Sequence, residues 1–364
     1  MSEPEMNKEQ RISAFATLGS AMRDAASGTS GISSSRFINL IDTLEGSNPW
    51  FTPENVRKAV GAIGDKLTYD NLSEWLKRYP EIPDHMIAST VGVVMAGNIP
   101  LVGFHDMLCV LITGNRLNAK LSSKDDLLIR AVTEVLTEAE PALGSCISLT
   151  DGTLSGFDAV IATGSDNTSR YFEYYFRDYP SIIRRTRNSV AVLDGTENDE
   201  ELRVLGEDVF AYFGLGCRSI SKLYIPERYD INRLTSCWQT WEKLRKHHKY
   251  AVNYDHNKAL MIVNRQHFTD TGYLLLRQES SLTPPMAVLN FEYYPSSKRL
   301  KSELETAENL IQCVTGHGST PLGKAQQPEL WDYADAVDTI LFLLKKIPRG
   351  EHILKNIKLH RLKQ

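Results

Sequence analysis

Cys217 closes the run Phe213-Gly-Leu-Gly-Cys-Arg218, with glycines at 214 and 216. Small neighbours let a substrate carbonyl come close, and an adjacent guanidinium favours the thiolate, which is the nucleophilic form. A thiol so placed can carry an acyl group covalently; the same setting also suits a buried cysteine in a tight turn. Cys109, Cys146, Cys237 and Cys313 lie in apolar or helical runs and are weaker candidates. Three further groups carry chemistry. Asn98, in Ala96-Gly-Asn-Ile-Pro100, offers an amide N–H to a carbonyl oxygen or else caps a helix. Lys120, ahead of Leu121-Ser122-Ser123, is a cation suited to phosphate or ribose hydroxyls, or a lysine that snorkels from a strand end. Gly164 and Ser165 follow Thr163 and open a helix, where unpaired N–H groups and the helix dipole favour an anion.

Each of the last three groups follows a short apolar run: 90–95, 117–121 and 157–162. Helical patterns at 100–113, 123–138 and 168–179 alternate with them, the second capped by Ser123. Repeated strand, turn and helix predicts a doubly wound parallel sheet, whose ligands lie beyond the carboxyl ends of the strands. Four helices are expected before it, at 11–25, 34–44, 52–63 and 69–79; the third opens on Thr52-Pro53, a cap followed by proline at the first helical position. Beyond residue 188 strands are expected at 188–193 and 219–225 and near 260–263, 272–276 and 287–293. Helices are expected at 198–213, 231–249 and 333–345, the middle one with a basic face of Lys243, Arg245, Lys246 and Lys249.

The chain has 364 residues, 42% hydrophobic and 24% charged, which excludes a disordered chain or a fibrous rod and suggests two domains. A net charge of −4 argues against a nucleic-acid partner. Five widely spaced cysteines, without C-x-x-C, fit neither a disulfide framework nor a zinc knuckle, and point to a reduced, cytoplasmic protein without a metal. The polar, acidic first ten residues do not read as a secretory signal, and no apolar run is long enough to span a bilayer. From Lys345 onward seven Lys or Arg face one Glu, a basic end that is a solvated tail or touches a phosphate-rich surface.

Taken together, the runs at 96–106, 119–125, 161–165, 187–192 and 213–218 resemble the LuxC-type acyl-CoA reductases, which include the fatty-acid reductase subunit of bacterial bioluminescence. The resemblance extends from about Met86 to about Leu344 and implies an aldehyde-dehydrogenase-like α/β fold. It implies N-terminal helices with a dinucleotide-binding domain over 1–187, a catalytic domain over 188–345, and a basic tail over 346–364. It further implies Cys217 as nucleophile, Asn98 as oxyanion donor, Lys120 on the adenosine ribose, Gly164 and Ser165 under the pyrophosphate, and Glu279 on the nicotinamide ribose. Two departures refine this. Hydrolytic relatives keep a glutamate base in a Leu-Glu-Leu-Gly-Gly run, where this chain has Ala191-Val192-Leu193-Asp194-Gly195. Three residues after Lys120, where an acid would repel a 2′-phosphate, stands Ser123, which tilts the cofactor to NADPH over NADH. The implied activity is reduction of an acyl thioester, on coenzyme A or an acyl-carrier protein, to an aldehyde. The implied setting is a homo-oligomer with an acyl-transferring or synthetase partner. An acyltransferase or thioesterase-like protein using the same cysteine, and a non-catalytic subunit keeping the fold, are the alternatives.

Overall fold

The computed structural model describes residues 6–87, 89–316 and 318–347. Most of the expected basic tail therefore lies outside the described residues. The chain forms two compact units, one running to Arg185 and resuming at Glu329, the other Thr186–Pro328. The sequence reading placed 329–345 in the second domain; in the structure these residues complete the first.

The first unit opens with α1 (Lys8–Ser27), α2 (Ile32–Thr43), α3 (Pro53–Lys66) and α4 (Tyr69–Leu76). Asn7 and Gln10 form a capping box at the start of α1, and Gly28 ends it at φ 79°. Ile12, Phe15, Leu18 and Met22 recur at helical spacing and are all buried. Then follow β1 (Thr90–Val94), α5 (Phe104–Ile112), β2 (Arg116–Lys120), α6 (Asp126–Ala139), β3 (Ile147–Thr150), β4 (Ala159–Thr163), α7 (Asp166–Tyr175) and β5 (Ser181–Arg184). Their sheet is wholly parallel, in the order β3-β2-β1-β4-β5. The chain winds outward from β1 to β3, then restarts on the other side with β4. The switch point lies between β1 and β4, where a doubly wound sheet leaves a crevice. Their centres, such as Val91, Val93, Val160 and Ile161, are buried, which is why these strands read as continuous apolar runs.

The returning segment ends in α12 (Thr339–Lys345), whose Ile340, Leu343 and Leu344 enter the core of the first unit. Two buried polar contacts fix it. The Arg184 guanidinium donates to Asp106 at 3.2 and 2.7 Å, to the Ala334 carbonyl at 2.7 Å and to Thr339 Oγ1 at 2.9 Å. Tyr333 Oη accepts from Trp75 Nε1 at 2.9 Å and lies 2.8 Å from Tyr79 Oη, which donates to Asp338 at 2.7 Å.

The second unit contains β6 (Asn188–Val192), α8 (Asp199–Phe210), β7 (Ile220–Pro226), α9 (Ile231–Cys237), α10 (His248–Val263), β8 (Thr269–Asp270), β9 (Leu275–Gln278), β10 (Val288–Tyr294), α11 (Ser297–Thr306) and β11 (Ile311–Gly316). Its sheet runs β11-β6-β7-β10-β9-β8, parallel except for β8. Two expectations fail here. The helix over 231–249 breaks at Trp238, whose buried indole donates to the Leu202 carbonyl at 2.7 Å and packs against Phe210. The basic residues 243–249 are thus split between a 3-10 stretch, Gln239–Lys246, and the start of α10. The strand near 260–263 is the end of α10, because Tyr250, Tyr254, Asn257 and Met261 form its buried face and leave Ile262 and Val263 exposed.

Candidate active site

In the first unit the expected residues line the carboxyl edge of the sheet. Val94 is level with Lys120 on one side and with Ala162 on the other. The loop bearing Asn98 and the Gly164-Ser165 turn therefore flank the switch point, with the end of β2 on the far side of β1. Asn98 itself is exposed, in the loop between β1 and α5. The helix expected from Pro100 starts at Phe104, because Leu101 takes a left-handed conformation at φ 59°. That position is strained for a residue with a Cβ. It is held by Asp125, whose Oδ2 accepts the Leu101 N–H at 2.7 Å. The other Asp125 oxygen is buried with no hydrogen-bond partner among the described residues, and burial pushes this carboxyl well above the usual carboxylate range.

The next loop is wedged against the first. A Cβ on Gly97 would lie 2.4 Å from Ser122 Oγ and 2.8 Å from Ser122 Cβ, so only glycine permits this approach. Lys120 Nζ donates to the carbonyls of Asp151 at 3.4 Å and Gly152 at 2.5 Å. The sequence reading made Ser123 the cap of the following helix. Instead Ser123 sits exposed in a turn, and α6 begins at Asp126 behind Asp125, whose N–H donates to the Ser122 carbonyl at 3.0 Å.

Gly164 packs where a Cβ would meet Phe172 and Thr168 at 2.9 and 3.0 Å. Ser165 is the N-cap of α7 and accepts the Thr168 N–H at 3.4 Å. Ser169 is buried and donates to the Asp166 carbonyl at 2.8 Å. The Gly164 N–H donates to the Arg184 carbonyl at 3.2 Å, and the first turn of α7 carries an acidic residue, Asp166.

In the second unit the nucleophile candidate follows a short 3-10 stretch, Ala211–Gly214, in which Tyr212, Phe213 and Gly214 are all left-handed, at φ 54°, 58° and 74°. Phe213 is held in that conformation by stacking on His247, ring centroids 4.3 Å apart. Cys217 then lies half-buried in the turn before β7, closed by the Ser219 N–H donating to the Gly216 carbonyl at 3.0 Å. The Cys217 carbonyl accepts from Ser189 Oγ at 2.8 Å, and Arg218 donates to the Ala325 carbonyl at 3.4 Å. The 323–325 backbone is fixed from the other side by buried Asp208, which accepts the N–H groups of Gly323 and Ala325 at 2.7 and 2.9 Å. Cys109, by contrast, is fully buried and burial pushes its thiol well up; burial also raises that of Cys237.

Val192 ends β6 inside an apolar cluster with Val190, Tyr224, Leu300 and Ile311. Gly316 of β11 lies so close that a Cβ there would sit 2.0 Å from the Val192 carbonyl oxygen. No carboxylate occupies this position.

Glu279 follows β9, with its N–H donating to the Phe291 carbonyl at 3.0 Å. Its carboxylate accepts the Ser280 N–H at 2.9 Å, and this bond holds it below the usual carboxylate range. Residues 279–287 then run back to the start of β10. Ser221 of β7 connects this return with the nucleophile turn: its Oγ lies 2.7 Å from the Leu282 carbonyl and 3.2 Å from the Ser189 carbonyl. Sequence reasoning missed Asp125, Ser189 and Ser221, since short polar residues in strands and loops carry no periodic signal.

No family model matches the chain, and no curated protein does. Solved structures do. The aldehyde dehydrogenase 21 of Physcomitrella patens, in complex with its reaction product succinate, matches with a TM-score of 0.62 and 12% identity, over 92% of this chain and 79% of its own. A variant aldehyde dehydrogenase from Bacillus cereus matches with a TM-score of 0.58 and 13% identity, over 85% and 72%. An indole-3-acetaldehyde dehydrogenase complexed with NAD+ matches with a TM-score of 0.55 and 12% identity, over 88% and 75%. The chain thus has an aldehyde-dehydrogenase-like α/β fold, as the sequence led one to expect.

Proposed function

We propose that this chain is an NADPH-dependent reductase of acyl thioesters, of the LuxC-type acyl-CoA reductase kind, releasing an aldehyde. The observation that carries the reading is the pairing of Cys217, in a turn of small residues, with an apolar residue at position 192. A thioester on Cys217 then meets no carboxylate base at that position to activate water, so the acyl group is kept for transfer or reduction.

In this reading the Cys217 thiolate attacks the thioester carbon, a new carbon–sulfur bond forms, and the coenzyme A or carrier thiol leaves with a proton. The Asn98 amide and the Cys217 N–H stabilise the oxyanion; donors aimed at developing charge are worth a few kcal/mol, about 3 each. Ser189 positions the turn by holding the Cys217 carbonyl. The carboxyl edge of the first sheet fits a dinucleotide. Gly97 lets the Asn98 loop pack against Ser122, Ser123 stays exposed, Lys120 and Lys124 bring positive charge, and Gly164 and Ser165 lead into α7, whose dipole favours the pyrophosphate. The exposed Ser123 leaves room for a 2′-phosphate, which favours NADPH. Glu279, ionised at neutral pH, accepts hydroxyls of the nicotinamide ribose. When bound, the cofactor supplies hydride to the acyl carbon. Coenzyme A or an acyl-carrier protein presents the substrate, and the chain works as a homo-oligomer in the cytoplasm, supplied by an acyl-transferring or synthetase partner. Among the described residues no helix is long and apolar enough to cross a membrane, and no cluster of His, Cys, Asp and Glu is suited to a metal.

The test is NADPH oxidation with a panel of acyl-CoAs, wild type beside Cys217→Ala, with intact-mass detection of S-acylation. Thioester-dependent oxidation that vanishes in the variant is expected. Acylation at Cys217 without consumption of NADPH or NADH would instead make the chain an acyltransferase.

A further inference from the structure

Lys222 is the most deeply buried lysine near the site, with 2% of its side chain exposed, five residues after Cys217 on β7. Its ammonium donates to Glu292 of β10 at 2.5 Å and to the Ser280 carbonyl at 2.7 Å, and it lies 4.5 Å from the centre of the Tyr224 ring. Ser280 is the residue after Glu279. The two carbonyls that follow are caught in the same way: Asn290 Nδ2 donates to Ser281 at 2.8 Å and Ser221 Oγ to Leu282 at 2.7 Å. Three consecutive carbonyls are thus held by three side chains from β7 and β10. A loop needs no such device merely to cross a sheet, and a buried ammonium is a costly way to fill space. What the device fixes is the peptide that follows the one whose N–H holds the Glu279 carboxylate, and Ser280 alone joins the two.

We propose that Lys222 is a positioning residue that, through the Ser280 carbonyl, sets the direction in which Glu279 presents its carboxylate to the cofactor ribose. The inference rests on the reading of Glu279 as a cofactor residue. Lys222 itself touches neither thioester nor nucleotide. Its loss frees the Ser280 carbonyl and lets the backbone at Ser280 turn, and the Glu279 carboxylate with it, while Asn290 and Ser221 still hold the next two carbonyls and Cys217 keeps its own support from Ser189.

The experiment measures NADPH binding by fluorescence titration and Cys217 acylation by intact mass, on the full chain. The variants are Lys222→Met, Glu279→Gln and the double substitution. Lys222→Arg is added because it keeps a buried cation for Glu292 while replacing a point donor with a wide fork, so the fold survives even if Lys222→Met does not. The expected result is a dissociation constant raised roughly tenfold in each single variant, since misplacement by an ångström is costly at such sites. The double variant should be no weaker than the weaker single, and Lys222→Arg should show the same loss with Cys217 acylation within about twofold of wild type. Normal NADPH binding in both Lys222 variants beside weak binding in Glu279→Gln would overturn the inference alone. Losses that multiply in the double variant would overturn it too, because Lys222 would then act by another route. Normal binding in every variant would overturn the role of Glu279 itself, and the inference with it.

Discussion

Gly97→Ala tests whether the Asn98 loop is set by its contact with the next loop. The added methyl carbon would lie 2.4 Å from Ser122 Oγ, 2.8 Å from Ser122 Cβ and 3.2 Å from Lys124 Cβ. Contacts between carbon atoms are comfortable from about 3.5 Å, so the two loops must part by about 1 Å. Rotating the Ser122 hydroxyl relieves the first contact but not the second, since a Cβ moves only with its backbone. That rotation also removes the hydrogen bond from the Lys124 N–H to Ser122 Oγ at 3.3 Å. Overpacking of this kind costs about 1–3 kcal/mol. For a unit of this size each kcal/mol lowers the melting temperature by roughly 2–4 °C. With Asn98 as the proposed oxyanion donor, a shift of about 1 Å there costs up to about 100-fold in turnover. Ser122→Gly removes both offending atoms, so Gly97→Ala with Ser122→Gly should regain most of the lost stability and activity. Calorimetry reads the first effect and thioester-dependent NADPH oxidation the second. A Gly97→Ala protein that melts and turns over like wild type would refute the reasoning. So would a double variant that recovers neither property.

Asp125→Asn should raise stability at pH 8. The native state holds the Asp125 proton more tightly than the unfolded chain does, so the carboxyl stabilises the fold at low pH. That contribution fades as pH climbs through the native pKa, whereas asparagine is neutral throughout; melting curves should therefore converge toward pH 4, and parallel curves would contradict the burial argument. Asp106→Ala leaves the Arg184 guanidinium buried without its carboxylate and should cost about 3–5 kcal/mol in denaturant titration. Ser123→Glu places a negative charge where the 2′-phosphate is proposed to lie; KM for NADPH should rise by about tenfold or more while KM for NADH changes little.

The strand-turn-helix rhythm of the first sheet was legible because its strands are buried on both faces and its helices carry long apolar stripes. Both units' main strands announced themselves in this way. What escaped had physical reasons. β3 and β5 have four residues each, Ile147–Thr150 and Ser181–Arg184, with no continuous apolar run, and β11 alternates buried and half-buried residues instead of showing one. The break at Trp238 depends on a pocket built by α8, where Gly206 makes room for the indoles of Trp238 and Trp241, and no local signal encodes that. The candidate site residues with reactive side chains were picked out by their chemistry. Their supports were not: nothing local to Asp125 or Lys222 tells which backbone group each side chain reaches. Only the tertiary structure shows that each holds a backbone carbonyl or N–H beside a candidate functional group.

The return of the chain at Glu329 bears on how the protein is made. The first unit's core takes Tyr333, Ile340, Leu343 and Leu344 from the end of the described chain, and Arg184 finds two of its partners there. A ribosome emits these residues only after the whole of the second unit. The core of the first unit is therefore complete only once the second unit has been synthesised, and until then the surface that takes Ile340, Leu343 and Leu344 stays uncovered, the kind of transiently exposed apolar surface that favours aggregation.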